Sequence, residues 1–184
     1  HDIGLINKIF TKLKKKNFKT VLIPKFDKSI DNRVKKSKWM KVKNQPHIII
    51  FEGWCIGARS QENNRLKKSL NIIESKHDAD LKWRKEVNYH LSTSYRKLFD
   101  KIDKLIYLKA PSFNYIFQWR LLQEQKLKLT SKNKKIMSKS KVKEFIMFYE
   151  RITRQMMKDY SKISDITVFL DKKHRSTNMR LFRK

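Results

Sequence analysis

Cysteine, glycine and proline are scarce in this chain of 184 residues, which contains one, three and three of them respectively. The single cysteine, Cys55, excludes an internal disulfide and is typical of proteins from a reducing compartment. The three glycines match neither G-x-x-x-x-G-K-S/T nor G-x-G-x-x-G, so no glycine-rich phosphate loop of either kind lies in this chain.

Long apolar runs and metal-binding motifs are also missing. No run reaches the roughly 18–20 apolar residues of a membrane helix, so we expect no membrane partner. The five histidines form no H-E-x-x-H motif and have no cysteine pair beside them, which argues against a zinc site. No G-x-S-x-G motif is present, and no partner base can be assigned to Cys55. We therefore interpret Cys55 as a packing residue rather than a nucleophile.

Acidic residues are few beside basic ones. The chain has 17 Asp and Glu against 46 Lys and Arg, which gives a net charge of +29. Such a charge attracts nucleic acids, anionic membranes and phosphorylated ligands. The lysines are spread along the whole chain, however, and this favours a solvated basic surface over one shaped binding face.

The most informative stretch is an apolar run at residues 48–51, which is followed directly by Glu52 and Gly53. A short run of this kind predicts a strand that is buried on both faces, as in a parallel sheet covered by helices. Ligands of open α/β sheets bind at the carboxyl ends of the strands. Glu52 is therefore a candidate for holding a Mg²⁺ shell or accepting a proton, and the alternative is a solvated glutamate at the end of a strand.

Apolar periodicity along the rest of the chain predicts alternating helices and strands. We predict helices at 2–16, 62–76, 83–102, after Pro111 and from 142 onward, and strands at 20–23, 104–110 and 166–170. Asp78 is the predicted N-cap of the helix at 83–102. Together these elements predict one α/β domain in which a mostly parallel sheet is flanked by helices.

Two other polar groups are candidates whose alternatives are ordinary. The loop at 24–33 contains Asp27 and Arg33, and its alternative is a turn-rich surface loop. Arg84 and Asn88 share one face of a helix, and from the residues alone we favour the interpretation that both face solvent.

These segments resemble, in order and along nearly the whole chain, the D-glycerate kinase-like P-loop kinases, relatives of uridine kinase, phosphoribulokinase and bacterial pantothenate kinase. The specific part is E-G-W-C-I-G-A-R at 52–59. The other matching segments are P-K-F-D with Arg33, W-R-K-E-V-N at 83–88, L-K-A-P-S at 108–112, W-R with Q-E at 119–124, the stretch at 145–154, and L-D with His174.

The resemblance implies a three-layer P-loop NTPase fold and a cytoplasmic kinase. Such a kinase uses ATP and Mg²⁺ to transfer the γ-phosphoryl group to a hydroxyl of D-glycerate or a similar hydroxy acid, with pantothenate or a nucleoside as open alternatives. It further implies that residues 1–184 are the C-terminal portion of a single kinase domain. The phosphate loop would lie upstream of His1, and we expect the chain alone to be inactive and to fold poorly.

By the same resemblance, Glu52 acts on the Mg²⁺–ATP side, directly or through water, and Arg120 closes over the phosphates from a lid helix. Arg33 would meet a carboxylate or phosphate of the acceptor, and Asp27 its hydroxyls. The implied substrate-binding residues are Asp27, Arg33, Arg84, Asn88 and Arg154.

A second hypothesis belongs to another class of protein, a basic module that binds nucleic acid or another anion on a degenerate kinase-like fold. Its affinity would fall steeply with salt. The aromatic residues disfavour it, because most lie on apolar helix stripes rather than between the basic runs as stacking platforms.

Overall fold

The structure, a computed structural model, describes residues 1–27, 30, 32–130 and 136–182. The chain consists of two compact units, His1–Gly53 and Trp54–Lys184. The assignment of residues 1–184 to a single kinase domain stays a prediction. None of the described helices is long and apolar enough to cross a membrane.

The first unit combines one helix with two short antiparallel strand pairs. Helix α1 spans Ile3–Leu13, and the Asp2 carboxylate caps it by accepting the N–H of Leu5 at 3.0 Å. Strand β1 (Val21–Ile23) pairs with β4 (Met40–Val42), and β2 (Phe26–Asp27) pairs with β3 (Asn32–Arg33). The predicted helix near 2–16 and the predicted strand near 20–23 are confirmed.

The predicted buried strand at 48–51 is wrong. No strand is formed there, and Ile48 and Ile50 are 79% and 86% exposed. Of this run, the Phe51 ring meets the Phe10 ring edge-on at 5.2 Å. An apolar pattern indicates that a segment tends toward burial, whereas a strand also needs a neighbour to accept and donate its backbone hydrogen bonds. No described strand lies beside 48–51.

The second unit contains most of the helices. They are α2 (Asn63–Lys67), α3 (Ile72–His77), α4 (Lys82–Ser92), α5 (Ser94–Phe99), α6 (Phe113–Thr130) and α7 (Lys139–Ile163). The helix predicted at 62–76 is two short helices. The one predicted at 83–102 breaks at Thr93, where the Ser92 and Thr93 hydroxyls both donate to the carbonyl of Tyr89 at 2.8 Å. Such hydroxyl contacts compete with the backbone ladder, which explains the break.

A three-stranded mixed sheet completes the second unit. Strand β5 (Ile106–Lys109) runs parallel to β6 (Ile166–Leu170), and β7 (Ser176–Leu181) pairs with β6 antiparallel. The α/β class is confirmed. The expectation of a mostly parallel sheet is wrong for the described strands, because their other pairings are antiparallel. Strand β7 is exposed along its whole length, and the sequence predicted no strand there.

The core of the second unit forms around the C-terminal half of α7. Met156 and Tyr160 lie one helical turn apart there and pack with Leu91 of α4 and with Ala58. Cys55 packs against the same cluster, which confirms its interpretation as a packing residue. The loop that follows Glu52 and Gly53 is thereby anchored in the core.

Candidate active site

The predicted site residues lie in both units. Those of the first unit are Asp27, Arg33 and Glu52, and those of the second are Arg84, Asn88, Arg120 and Arg154. Their roles in binding or catalysis stay predictions, and their surroundings are as follows.

In the first unit, Asp27 and Arg33 lie on the paired strands β2 and β3, in a register that sets Phe26 opposite Arg33 and Asp27 opposite Asn32. The Arg33 guanidinium donates to the Asp2 carboxylate at 3.0 Å, and about half of each side chain is exposed. The N–H of Leu5, and then Arg33, lower the pKa of Asp2. Arg33 is therefore within reach of both solvent and a carboxylate, as an anion contact would need to be.

Glu52 is exposed and makes no hydrogen bond or ion pair with any described residue. Magnesium is usually held by one or two carboxylates together with phosphate and water oxygens. Within the described residues no group of three or more His, Cys, Asp or Glu could hold a metal by itself. One free carboxylate therefore fits a Mg²⁺ ion that comes with the phosphates of a nucleotide, and it does not form a separate protein metal cage.

The loop at 54–61 follows Gly53 and is held by contacts with α7. The Trp54 indole N–H donates to the Thr153 hydroxyl at 3.0 Å, and its ring stacks on Tyr149 at 4.9 Å. Farther along the loop, the Tyr160 hydroxyl donates to the carbonyl of Gly57. Gly57 has φ +81°, and a Cβ there would lie 3.2 Å from Leu105, so glycine suits this position both conformationally and sterically.

Asn88 of α4 holds the far end of this loop. Its side-chain oxygen accepts the N–H of Gln61 at 2.7 Å, and its amide donates to the carbonyl of Gln61 at 2.9 Å. Both hydrogen-bonding groups of one loop residue are thus satisfied by a single side chain, in the manner of a strand neighbour. In this structure the contacts of Asn88 are with the loop.

Arg84 is 3% exposed, so the interpretation that it faces solvent is wrong. Its Nε donates to Asp78 at 2.7 Å, and its other nitrogens donate to the carbonyls of Leu66, Glu74 and Asp78. The Asp78 carboxylate also accepts the N–H groups of Trp83 and Arg84 at 2.7 and 3.1 Å. The predicted N-cap position is wrong, because the residue just before α4 is Leu81, but the Asp78 carboxylate still satisfies first-turn donors of this helix.

Arg151 of α7 completes this network, and sequence reasoning gave it no role. Its Nε and Nη2 donate hydrogen bonds to the buried Glu74 carboxylate at 2.7 and 2.6 Å. Its guanidinium also donates to the carbonyls of Arg65 and Lys68. The network balances its charges, with Arg84 and Arg151 against Glu74 and Asp78. Such balance is what makes buried ions tolerable. The Y-E-R segment at 149–151 was part of the resemblance, but nothing in one sequence pairs it with Glu74.

A cavity of about 30 Å³ lies against this network and is lined by Trp83, Asn88, Phe148 and Gln155, among others. Its volume is that of about one water molecule, so it is too small for a substrate.

Arg120 and Arg154 lie where α6 and α7 pack together. Arg120 is ion-paired with Glu124, and its guanidinium is 5.5 Å from the centre of the Phe145 ring. Arg154 pairs with Glu150 at 2.8 Å and lies 4.7 Å from the centre of the Phe113 ring. The side chain of Arg154 is 50% exposed and that of Arg120 21%, so Arg154 is the more accessible of the two.

Glu124 is the carboxylate that is ion-paired with Arg120. Burial favours its neutral form, but the N–H of Met137 at 2.8 Å and the Arg120 guanidinium outweigh burial and lower its pKa. Glu124 is therefore ionised at neutral pH, and an anion that approaches Arg120 must compete with this carboxylate.

Comparison with known proteins finds sequence similarity to two kinases. No protein-family model matches the chain. It is 32% identical over 155 residues to a protein of Schizosaccharomyces pombe named uncharacterized kinase mug58. The matched region is 81% of this chain and 54% of that protein. The chain is 26% identical over 156 residues to the chloroplastic D-glycerate 3-kinase of Arabidopsis thaliana. That matched region is 81% of this chain and 31% of that enzyme. The chain thus spans about half the length of the first of these relatives and a third of the second.

Two solved structures share the fold. The D-glycerate 3-kinase of Cryptococcus neoformans superposes with a TM-score of 0.77 at 22% identity, over 99% of this chain and 67% of that one. The YGR205w protein superposes with a TM-score of 0.69 at 23% identity, over 98% and 64%. The resemblance to the D-glycerate kinase-like kinases that the motifs indicated is therefore confirmed.

Proposed function

We propose that the protein containing this chain is an ATP-dependent small-molecule kinase of the P-loop three-layer type. It transfers the γ-phosphoryl group to a hydroxyl of D-glycerate or a closely similar hydroxy acid. The observation that carries the proposal is the sequence likeness to two kinases, one named as a D-glycerate 3-kinase, over 81% of the chain. The shared fold with a second D-glycerate 3-kinase supports it.

Phosphoryl transfer depends mainly on positioning and on neutralising charge. Mg²⁺–ATP, when bound, supplies the phosphoryl group and its counter-charge. Glu52 would hold the metal through its free carboxylate, directly or through water. Two residues would orient the acceptor. Arg33 would bind the carboxylate of the acceptor, and Asp27 would bind the hydroxyls of the acceptor.

Arg120 is the proposed lid residue, and its present partner suggests how it would act. Paired with Glu124, its charge is neutralised, and a phosphate with a higher charge density can compete for the same guanidinium. Arg120 would then stabilise the charge that develops on the transferred group. Arg154, the more exposed arginine of this pair of helices, would be a further anion contact, and Arg84 and Asn88 remain lower-ranked proposals.

The first test is turnover. The purified full-length protein that contains this chain is given Mg²⁺ and ATP with D-glycerate, L-glycerate, pantothenate or uridine in parallel, and ADP release is followed by a coupled assay. We expect ADP release that depends on D-glycerate. Release that no acceptor stimulates would contradict the kinase proposal, and stimulation only by another acceptor would contradict the substrate.

The second test concerns the residues. Glu52→Gln and Arg120→Ala should each lower kcat by about 10²-fold or more, since each removes a charge that acts on the phosphoryl group. Glu86→Gln and Arg180→Ala are matched controls, because Glu86 is an exposed carboxylate and Arg180 another arginine beside phenylalanine rings. Equal activities of variants and controls would remove these assignments.

A further inference from the structure

A second cavity, of about 220 Å³, lies at the amino-terminal ends of strands β5 and β6. Leu105, directly before β5, and Asp165, directly before β6, both line it. Because these strands are parallel, with Ile106 opposite Ile166, their amino ends meet at one edge of the sheet. Ligands of α/β folds usually bind at the opposite edge, where the strands end. The cavity therefore lies apart from the usual ligand position of such a sheet.

The residues that line this cavity are partly apolar and partly charged. Phe99, Ile102, Leu105 and Ile163 form the apolar part. The charged part contains Arg59, Arg96 and three aspartates. A few charged groups beside an apolar surface are the composition expected of a small-molecule site.

The aspartates of the cavity are already engaged. The Arg96 Nε lies 2.8 and 3.0 Å from the two carboxylate oxygens of Asp100 and forms an ion pair with this carboxylate. Asp165 accepts the Lys104 ammonium at 3.3 Å and the N–H of Leu105 at 2.9 Å. Asp103 likewise has a contact within the chain. These carboxylates therefore offer little free negative charge to a ligand.

Arg59 is different, because it makes no hydrogen bond or ion pair with any residue that the structure describes. It lies two residues after Gly57, whose carbonyl accepts the Tyr160 hydroxyl. Burial raises the pKa of Tyr160 to about 12, and the charges of Arg59 and Arg96 both oppose that rise. Arg96 is neutralised by Asp100, so Arg59 is the guanidinium of this lining that no described carboxylate neutralises.

We propose that this cavity binds a small organic anion, whose carboxylate or phosphate pairs with Arg59 and whose short apolar body packs on Ile102, Leu105 and Ile163. The volume of about 220 Å³ is below the usual range for drug-sized ligands and suits a molecule of a few carbon atoms. The proposal goes beyond phosphoryl transfer and does not depend on it.

The test is binding, measured by ¹⁵N NMR on the purified protein without nucleotide. Butyrate and inorganic phosphate are titrated separately at about 0.15 M salt, where long-range attraction by the +29 charge is largely screened. We expect saturable shifts confined to the amides around Arg59, Ile102 and Ile163. Tighter binding of butyrate would identify a carboxylate ligand and tighter binding of phosphate a phosphorylated one, and either result supports the site.

Two variants separate this site from general basicity. Arg59→Gln should weaken binding about tenfold, the loss expected when a charge-assisted hydrogen bond is removed. Lys97→Gln removes the same charge from an exposed residue of α5 that does not line the cavity, and it should change affinity less than about twofold.

Equal losses in Arg59→Gln and Lys97→Gln would overturn the proposal, and so would shifts spread over the whole basic surface or a lack of saturation. Ile102→Trp, which fills the cavity with a larger side chain, should abolish butyrate binding. If this variant fails to fold, Arg59→Gln still decides the matter. Because no ATP is present, failure here and failure of the proposed kinase activity can be told apart.

Discussion

Cys55 shows how strongly position alone can change the chemistry of one residue. Its backbone has φ +69°, in the turn that begins at Trp54, and its side chain packs on the core cluster. Burial raises the pKa of the thiol to about 12, and a hydrogen bond with Thr153 opposes this only in part. Since the thiolate is the reactive form, Cys55 should be a poor nucleophile at neutral pH.

We therefore predict that iodoacetamide alkylates Cys55 at least about 100-fold more slowly at pH 8 in the native protein than in denaturant. Mass spectrometry of timed samples measures both rates. Alkylation at the same rate in both states would contradict the buried position.

The same shift predicts a pH dependence of stability. The folded state keeps the thiol protonated up to a pKa of about 12, whereas an unfolded cysteine ionises near pH 8.5. The contribution to stability is fully present below about pH 8.5 and is lost as pH rises above it. Urea unfolding at pH 7.5 and 9.5 should show this loss, and Cys55→Ala should reduce it.

The pairing of α4 with the loop at 54–61 depends on Asn88. Asn88→Ala leaves the N–H and C=O of Gln61 without their partners and should cost about 1–3 kcal/mol in the free energy of unfolding. Lys85→Ala, on an exposed position of the same helix, should change it by less than about 0.5 kcal/mol. Urea unfolding gives both values, and hydrogen exchange should show faster exchange of the Gln61 amide only in Asn88→Ala.

This experiment also distinguishes positioning from substrate binding by Asn88. A structural clamp changes stability and the Gln61 amide. A direct substrate contact raises the KM for the acceptor and leaves both of those unchanged. The second result would favour the role that the resemblance implied.

The elements that the sequence predicted well are those with a local signal. Helices α1 and α7 and strands β1, β5 and β6 lie where apolar periodicity predicted them. The errors arise where the outcome depends on distant partners. The run at 48–51 has no strand beside it among the described residues, and the helix after Trp83 breaks where hydroxyls compete for the carbonyl of Tyr89.

The candidate site was predictable to a similar extent. The motifs led to Glu52, Arg120 and Arg84, because they are short and local. The pairing of Glu74 with Arg151 joins residues 77 positions apart, and only the folded chain brings them together. For the same reason, a polar residue on a predicted helix face could not be recognised as buried when its partners lay on other elements.

The whole molecule joins a high positive charge to exposed apolar side chains. Mutual repulsion at a net charge of +29 opposes self-association. The side chains of Ile48 and Ile50 favour self-association, because both are largely exposed apolar groups. Salt screens repulsion but leaves the hydrophobic contribution, because the Debye length falls from about 10 Å at 0.1 M to about 3 Å at 1 M.

We expect the apparent mass from light scattering to increase between about 0.1 and 1 M NaCl. The double variant I48S/I50S, with the same charge, should remain at the mass of the low-salt species. If it associates as strongly as the parent protein, another surface is responsible.

The buried network of Arg84, Arg151, Glu74 and Asp78 has a consequence for heat. The cost of removing ions from water falls as temperature rises, because ionic hydration becomes less favourable. These ion pairs therefore weaken less on heating than hydrophobic contacts do. They connect α3, α4 and α7 and also hold the carbonyls of Leu66 and Lys68. This part of the second unit should accordingly be among the last to lose its structure as the protein is warmed.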